Sequence, residues 1–352
     1  MGDVRACINR IGTARPDHEV HGVFLAWAEA QAHEGRDRAL FRRMAARAGI
    51  ERRWSVLAPA ANGSQTVGGF YAGGMPSTAA RMRVYAEEAP DLALRAVAAL
   101  GPLGTISHIV VASCTGFVAP GVDQIIAARL GLSPAVERLL VGFMGCYAAV
   151  AALRSARHIV RSDPAARVLV VTVELCTLHL QAVSEIEPLL AMLQFGDGAA
   201  AALVTGEPGG FALGQPFAAA LPDSGHLIRW DITDTGFAMH LSGEVPGRIA
   251  AALADQALAH AMTGGADAGA VDGWAVHAGG RSILDAVENS LRLGPDALRH
   301  SRGVLADNGN MSSATLMFVL RRLLAGPPVE RGVALAFGPG LAAEGFAFRS
   351  AA

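Results

Sequence analysis

The chain has 352 residues, with 29 basic against 31 acidic side chains and a formal net charge of −2. That length suits two domains or one large fused one. It can bury about 75% of the surface of the unfolded chain, so no disulfide or metal staple is needed. Balanced charge without a basic stripe argues against nucleic acid as a partner. Hydrophobic residues make up 52% and charged ones 17%, with a mean hydropathy of +0.34. The most apolar stretches, such as Arg167–Val173 and Gly198–Val204, still fall well short of the roughly 18–20 apolar residues that span a bilayer. No secretory signal opens the chain, so the reading is a cytoplasmic protein. Its dispersed cysteines, Cys7, Cys114, Cys146 and Cys176, are then free thiols.

In chain order, His108–Ala112 reads as a buried strand, followed by Ser-Cys-Thr-Gly and a helix over Asp123–Leu130. Gly145-Cys146 opens an apolar, small-residue helix over Tyr147–Ile159, and two β-rich runs follow, Val168–Val173 and Ala199–Val204. The same unit then recurs. Gly273–Val276 is a strand ending at His277-Ala-Gly-Gly, Ser282–Leu291 a helix, and Gly309-Asn310 opens a second apolar helix over Ser312–Leu323. Strands Gly332–Phe337 and Gly345–Phe348 close it. Cys114 precedes Cys146 by 32 residues, and His277 precedes Asn310 by 33. Alternating strands and helices predict an α/β class, and helices apolar nearly all round must be buried. Duplicated halves, residues 1–208 and 209–352, are expected to form two sheets about a central helical layer.

Three residues carry the chemistry. Cys146 stands at a helix start, where free N–H groups and the dipole favour a thiolate; residue type alone equally suits a small core residue. His277 ends a strand before two glycines, and a lone histidine is by itself more often structural. Asn310 precedes a helix and could simply cap it. Brought together, Cys and His make an activated nucleophile, and His and Asn make two donors for a carbonyl oxyanion. A Cys146–His277 ion pair is expected to need no carboxylate.

The stretches Gly145-Cys146, Phe195-Gly-Asp-Gly-Ala-Ala, His277-Ala-Gly-Gly, Gly309-Asn-Met-Ser-Ser-Ala and Phe337-Gly-Pro-Gly-Leu, in this order, resemble the type III polyketide synthases. These are the chalcone synthase family, and the resemblance runs from about Ala39 to Phe348, its bacterial members being nearest. It implies a thiolase-like fold layered α-β-α-β-α and a homodimer. It also implies an acyltransferase using acyl-CoA and malonyl-CoA, with no cofactor and no metal. By the same resemblance Cys146 carries the acyl chain, while His277 and Asn310 hold the thioester carbonyl during malonyl-CoA decarboxylation. Phe195 matches the gatekeeper, and Phe337, Gly338, Pro339 and Gly340 the loop that shapes the cyclisation pocket. Gly279 and Gly280, with Arg43 and Arg47, match the CoA-binding positions. Leu40 replaces a lysine there, for which Arg42 is a candidate substitute, although a solvated helix face explains the run equally well. Arg52 and Arg53 read as structural. Cys114, Cys176, His179, Met239 and Ser312 are pocket positions; the first four, like Ala119, depart from the plant pattern, so the product is left open. The competing readings are an initiating β-ketoacyl synthase of fatty acid synthesis and a non-catalytic acyl- or CoA-binding protein on the same fold. A cysteine protease fits poorly with a nucleophile on a buried helix.

Overall fold

The computed structural model describes residues 5–58 and 69–351, the side chain of Gln256 excepted. Strands β1 (Cys7–Ala14) and β2 (His18–Glu19) lead into helices α1 (His21–Gln31) and α2 (Arg36–Ala45). After β3 (Trp54–Ser55) come α3 (Thr78–Ala98), β4 (His108–Ser113), α4 (Val122–Arg129) and β5 (Glu137–Gly142). A 3-10 turn at Gly145–Tyr147 runs into α5 (Ala148–Ser162), followed by β6 (Arg167–Leu175), α6 (Ile186–Met192) and β7 (Asp197–Thr205). The second half holds β8 (Phe211–Ala220), the hairpin β9 (Ile228–Thr233) and β10 (Gly236–Leu241), then α7 (Val245–Leu253) and α8 (Gln256–Thr263). It ends with β11 (Gly273–Val276), α9 (Arg281–Ser290), α10 (Arg299–Asn308), α11 (Ser313–Leu324), β12 (Gly332–Gly338) and β13 (Ala342–Ser350).

The duplication is visible in the strand pairing. In the first half β4 and β6 are parallel, while β6–β7 and β7–β1 are antiparallel. In the second, β11 and β12 are parallel, while β12–β13 and β13–β8 are antiparallel. The first half adds one strand, β5, parallel to β4 at the edge. The sequence predicts two sheets about a central helical layer. Instead Cys7 and Ile8 pair with Ala212 and Phe211, and this short ladder joins the halves into one nine-stranded mixed sheet.

The sheet bends around α5 and α11. Both helices pack with strands of both halves into one central core, from Ile8 and Val170 to Ala334 and Phe346. Alanine is the best helix former and the smallest side chain that fills space, so the Ala-rich start of α5 packs closely on every side. Residues Ala148 to Leu153 are at most 5% exposed. Two outer cores complete a five-layer arrangement, one of α1, α3 and α4 on the first half and one of α7 and α9 on the second. Among the described residues no helix is long and apolar enough to cross a membrane, and all four cysteines are free.

Candidate active site

Cys146 lies in the 3-10 turn that leads into α5, which begins at Ala148 rather than at the expected Tyr147. Gly145 makes this turn possible. Its φ is +70°, and a Cβ there would lie 2.5 Å from Pro339 and 2.8 Å from the Trp230 ring. The turn is tied down on its other side by Cys114, whose Sγ accepts from the Gly145 N–H at 2.9 Å.

Asn310 is brought to Cys146 by the loop between α10 and α11. Gly309 turns this loop at φ +67°, where a side chain would strike the Gln194 carbonyl. Asn310 then pairs with Phe195 in an isolated parallel bridge, its N–H donating to Gln194 O at 2.7 Å and its carbonyl accepting from Gly196 at 3.0 Å. Its side chain is oriented from both ends. The Oδ1 accepts from the Ser312 N–H at 2.8 Å, while Nδ2 donates to Gly279 O at 3.2 Å and approaches Cys146 Sγ at 4.0 Å. His277 directly follows β11 and is 2% exposed, and neither ring nitrogen has a protein hydrogen-bond partner. Gly279, whose carbonyl holds Asn310, turns back on the His277 carbonyl at 2.9 Å, so the two side chains share one loop.

Electrostatics differ from the sequence-based expectation. Burial pushes the Cys146 thiol up to about 12, opposed by the hydrogen bonds of Ser312 and Asn310, and pulls His277 down to about 3. Among the described residues no hydrogen bond or ion pair joins the two. The resting site thus holds a neutral thiol and a neutral imidazole rather than a thiolate–imidazolium pair, because removing both charges from water outweighs the helix-start effect.

A cavity of about 220 Å³ adjoins this trio, which is not itself part of the wall. Phe195, Cys114, Cys176, His179, Met239 and Ser312 do line it. His179 has a fixed tautomer: Nδ1 accepts from the Phe237 N–H at 3.0 Å, so Nε2–H donates to Thr115 O at 2.7 Å. Its ring stacks on Phe237 at 4.1 Å, and burial pulls its pKa down to about 4. The Phe337–Gly340 loop is off the cavity wall. Pro339 packs on Gly145 and accepts from the Tyr147 hydroxyl at 3.3 Å, while the Trp230 indole from β9 takes the space beside it.

Arg43 and Arg47 are exposed at the end of α2, and Gly279 and Gly280 are buried at the start of α9. The two regions are connected, since Arg281 donates to Arg47 O at 3.2 Å. Arg42, the candidate substitute for the basic residue missing at Leu40, is exposed and forms an ion pair with Glu29. Arg52 pairs with Asp307 at 2.5 Å. Arg53, 2% exposed, clamps the segment that carries Phe195, donating to Phe195 O at 2.7 Å and Met192 O at 3.1 Å.

Sequence reasoning missed Glu174. It is fully buried beneath the site and accepts from the Cys114 N–H and the Thr115 hydroxyl, each at 2.9 Å, and from the Ser313 hydroxyl. Burial raises its carboxyl to about 7 against those hydrogen bonds. A charged residue inside the apolar run Val168–Leu175 was the available signal. Trp230 and Phe237 were missed too, since a remote hairpin delivers them. No group of three or more His, Cys, Asp or Glu side chains among the described residues is placed to hold a metal ion.

The family described as chalcone and stilbene synthases, N-terminal domain, matches residues 2–208, and its C-terminal domain matches residues 214–352. The alpha-pyrone synthesis polyketide synthase-like Pks18 of Mycobacterium tuberculosis is 36% identical over 284 residues, covering 76% of this chain and 72% of the relative. Its Mycobacterium bovis counterpart matches to the same extent. Among solved structures, PKS-I from the brown alga Ectocarpus siliculosus superposes with a TM-score of 0.89 at 29% identity, over 99% of each chain. The C-terminal type III polyketide synthase domain of Steely1, a type I/III hybrid from Dictyostelium, gives a TM-score of 0.90 at 25% identity, over 99% of this chain and 100% of that one. The chain therefore belongs to the chalcone and stilbene synthase family, and is an acyltransferase of the type III polyketide synthase class.

Proposed function

We propose that Cys146 takes an acyl group from an acyl-CoA, or from malonyl-CoA itself, its thiol proton leaving on the released CoA thiol, and that malonyl-CoA then extends it by decarboxylative condensation. Cys146, from the half at residues 1–208, is the nucleophile; His277 and Asn310, from the half at residues 209–352, hold the malonyl thioester carbonyl. Cleavage of the carboxylate carbon–carbon bond releases CO₂ and leaves its electron pair as an enolate, whose oxygen the two donors stabilise. The enolate carbon attacks the Cys146 thioester and expels the cysteine sulfur, giving a β-ketoacyl-CoA. That product reloads Cys146 with loss of CoA. His277 serves as a neutral donor, in keeping with its lowered pKa.

One observation carries this reading. A buried imidazole with two unpartnered nitrogens stands beside an oriented asparagine amide that reaches the Cys146 sulfur. Buried polar groups are almost always satisfied, so His277 is waiting for an acceptor. The modest cavity and the mycobacterial relative's description favour a compact α-pyrone, closed when an enol oxygen attacks the thioester carbonyl, breaks its C–S bond and releases the thiol with the enol proton. Arg43, Arg47 and Arg281 are the cations we assign to the CoA phosphates, with Gly279 and Gly280 beside the thioester arm. The enzyme works in the cytoplasm on CoA thioesters alone. It pairs as a homodimer through β5, an open sheet edge where Leu139 is 42% and Leu140 45% exposed.

Mass spectrometry of products from malonyl-CoA alone, then with short, long and aromatic acyl-CoAs, tests the proposal. Pyrones are expected from the wild type and none from Cys146→Ala. A single β-ketoacyl product delivered to an acyl carrier protein would move the assignment to an initiating β-ketoacyl synthase. Inertness toward every thioester would move it to a binding protein.

A further inference from the structure

A second cleft, of about 570 Å³, lies at the far ends of α5 and β13. It is remote from Cys146: α5 runs about 20 Å from Ala148 to Arg161, and β13 about 24 Å from Ala342 to Arg349. Its walls carry five arginines from four chain segments: Arg5 before β1, Arg157 and Arg161 in the last turns of α5, Arg331 before β12, and Arg349 in β13. Glu330 is the single carboxylate among the lining residues.

The basic residues are not equivalent. Arg157 is buried and anchored, its Nε donating to Leu213 O at 3.3 Å. Arg157 and Arg161 make further polar interactions of their own, which leaves Arg5, Arg331 and Arg349 to meet a ligand. All three are exposed, and none forms an ion pair or side-chain hydrogen bond among the described residues. In a chain of net charge −2, gathering like charges around one concavity is unfavourable unless an anion compensates them.

The arginine fork matches phosphate oxygens in pairs. A volume of about 570 Å³ lies within the roughly 300–1,000 Å³ of small-molecule sites and exceeds what one phosphate fills. We propose that this cleft binds a small anion bearing a di- or triphosphate, at a site separate from that of the thioester substrates.

Calorimetric titration with inorganic pyrophosphate at fixed ionic strength tests the assignment. The proteins are the wild type, an Arg331→Gln/Arg349→Gln variant and an Arg43→Gln/Arg47→Gln variant. Binding is expected in the wild type and the Arg43/Arg47 variant, and at least roughly tenfold weaker in the Arg331/Arg349 variant. The latter should keep its melting temperature and its rate of polyketide formation, because both side chains are exposed and distant from Cys146. Absence of binding to the wild type overturns the proposal, as does equal affinity in the Arg331/Arg349 variant or loss confined to the Arg43/Arg47 variant. Sulfate binding as tightly as pyrophosphate would refute the diphosphate class.

Discussion

The Cys114 thiol accepts a hydrogen bond from the Gly145 N–H at 2.9 Å and so ties the end of β4 to the turn that presents Cys146. Cys114 is 2% exposed, so removing its sulfur leaves that N–H buried without a partner. Cys114→Ala should destabilise the protein by about 1–3 kcal/mol in urea unfolding and lower kcat, while Cys146 still accepts acyl groups. Cys114→Ser, which keeps an acceptor, should recover much of both. Equal stability of the Ala variant and the wild type would show that the contact holds nothing.

Decarboxylation is expected to depend more strictly on His277 and Asn310 than on Cys146. Loss of one oxyanion-type donor costs about 10²–10³ in rate. CO₂ release from malonyl-CoA should fall by that order in His277→Ala and in Asn310→Ala, but far less in Cys146→Ala. Wild-type CO₂ release from either donor variant would refute the assignment. Covalent labelling adds an independent check. All 29 basic residues are arginine, so the chain has no lysine amine to be acylated nonspecifically.

Much of this was legible in the sequence, for identifiable reasons. Runs such as His108–Ala112 and Gly273–Val276 are short, apolar and bounded by glycine or polar residues, and both fall within strands of the structure. The near-equal spacing of Cys114–Cys146 and His277–Asn310 reflects matching strand-to-helix units. What stayed hidden depends on packing between remote segments. Glu174 reads as an interruption in an apolar run until β4 and α11 close over it. Trp230 takes space beside the Pro339 loop that the motif alone assigned to the pocket. The expected thiolate came from residue types at a helix start, which carry no information on how dry the surroundings are. The single sheet depends on a two-residue ladder that no local pattern announces.

The Trp230 indole touches Gly145 and lines the cavity, so it limits the space beside the Cys146 turn. Trp230→Gly should enlarge that space and shift products toward higher mass, by one or more malonyl-derived units, at similar Cys146 labelling. An unchanged product mass distribution would remove Trp230 from specificity control.

At the edge of the sheet, Leu139, Leu140 and Phe143 are each more than 40% exposed, and Phe117, 49% exposed, stands 6.1 Å from Phe143. A charge placed there opposes strand pairing across a dimer axis without disturbing a packed core. Light scattering of Leu140→Lys should give the mass of one chain where the wild type gives that of two. A single-chain mass for the wild type at micromolar concentration would overturn the dimer.

The last expectation concerns pH and Glu174. Its carboxyl titrates near 7 in the folded protein against an ordinary 4.5, because burial penalises the charged form. Between those values the native state binds more protons than the unfolded chain, so this group's contribution to stability falls as pH rises from about 4.5 to 7 and is level beyond. Asp197, raised to about 6 by burial, has the same sign. His277 and His179, lowered by burial, have the opposite sign, since the unfolded chain takes up their protons first on acidification. The wild-type profile is therefore a composite, and the difference from Glu174→Gln isolates the carboxyl. Measured by urea unfolding across pH 4.5–7.5, the stability of the wild type relative to Glu174→Gln should decline by about 3 kcal/mol. A difference that stays flat over that window would mean that Glu174 ionises normally, its three donors fully offsetting the loss of water.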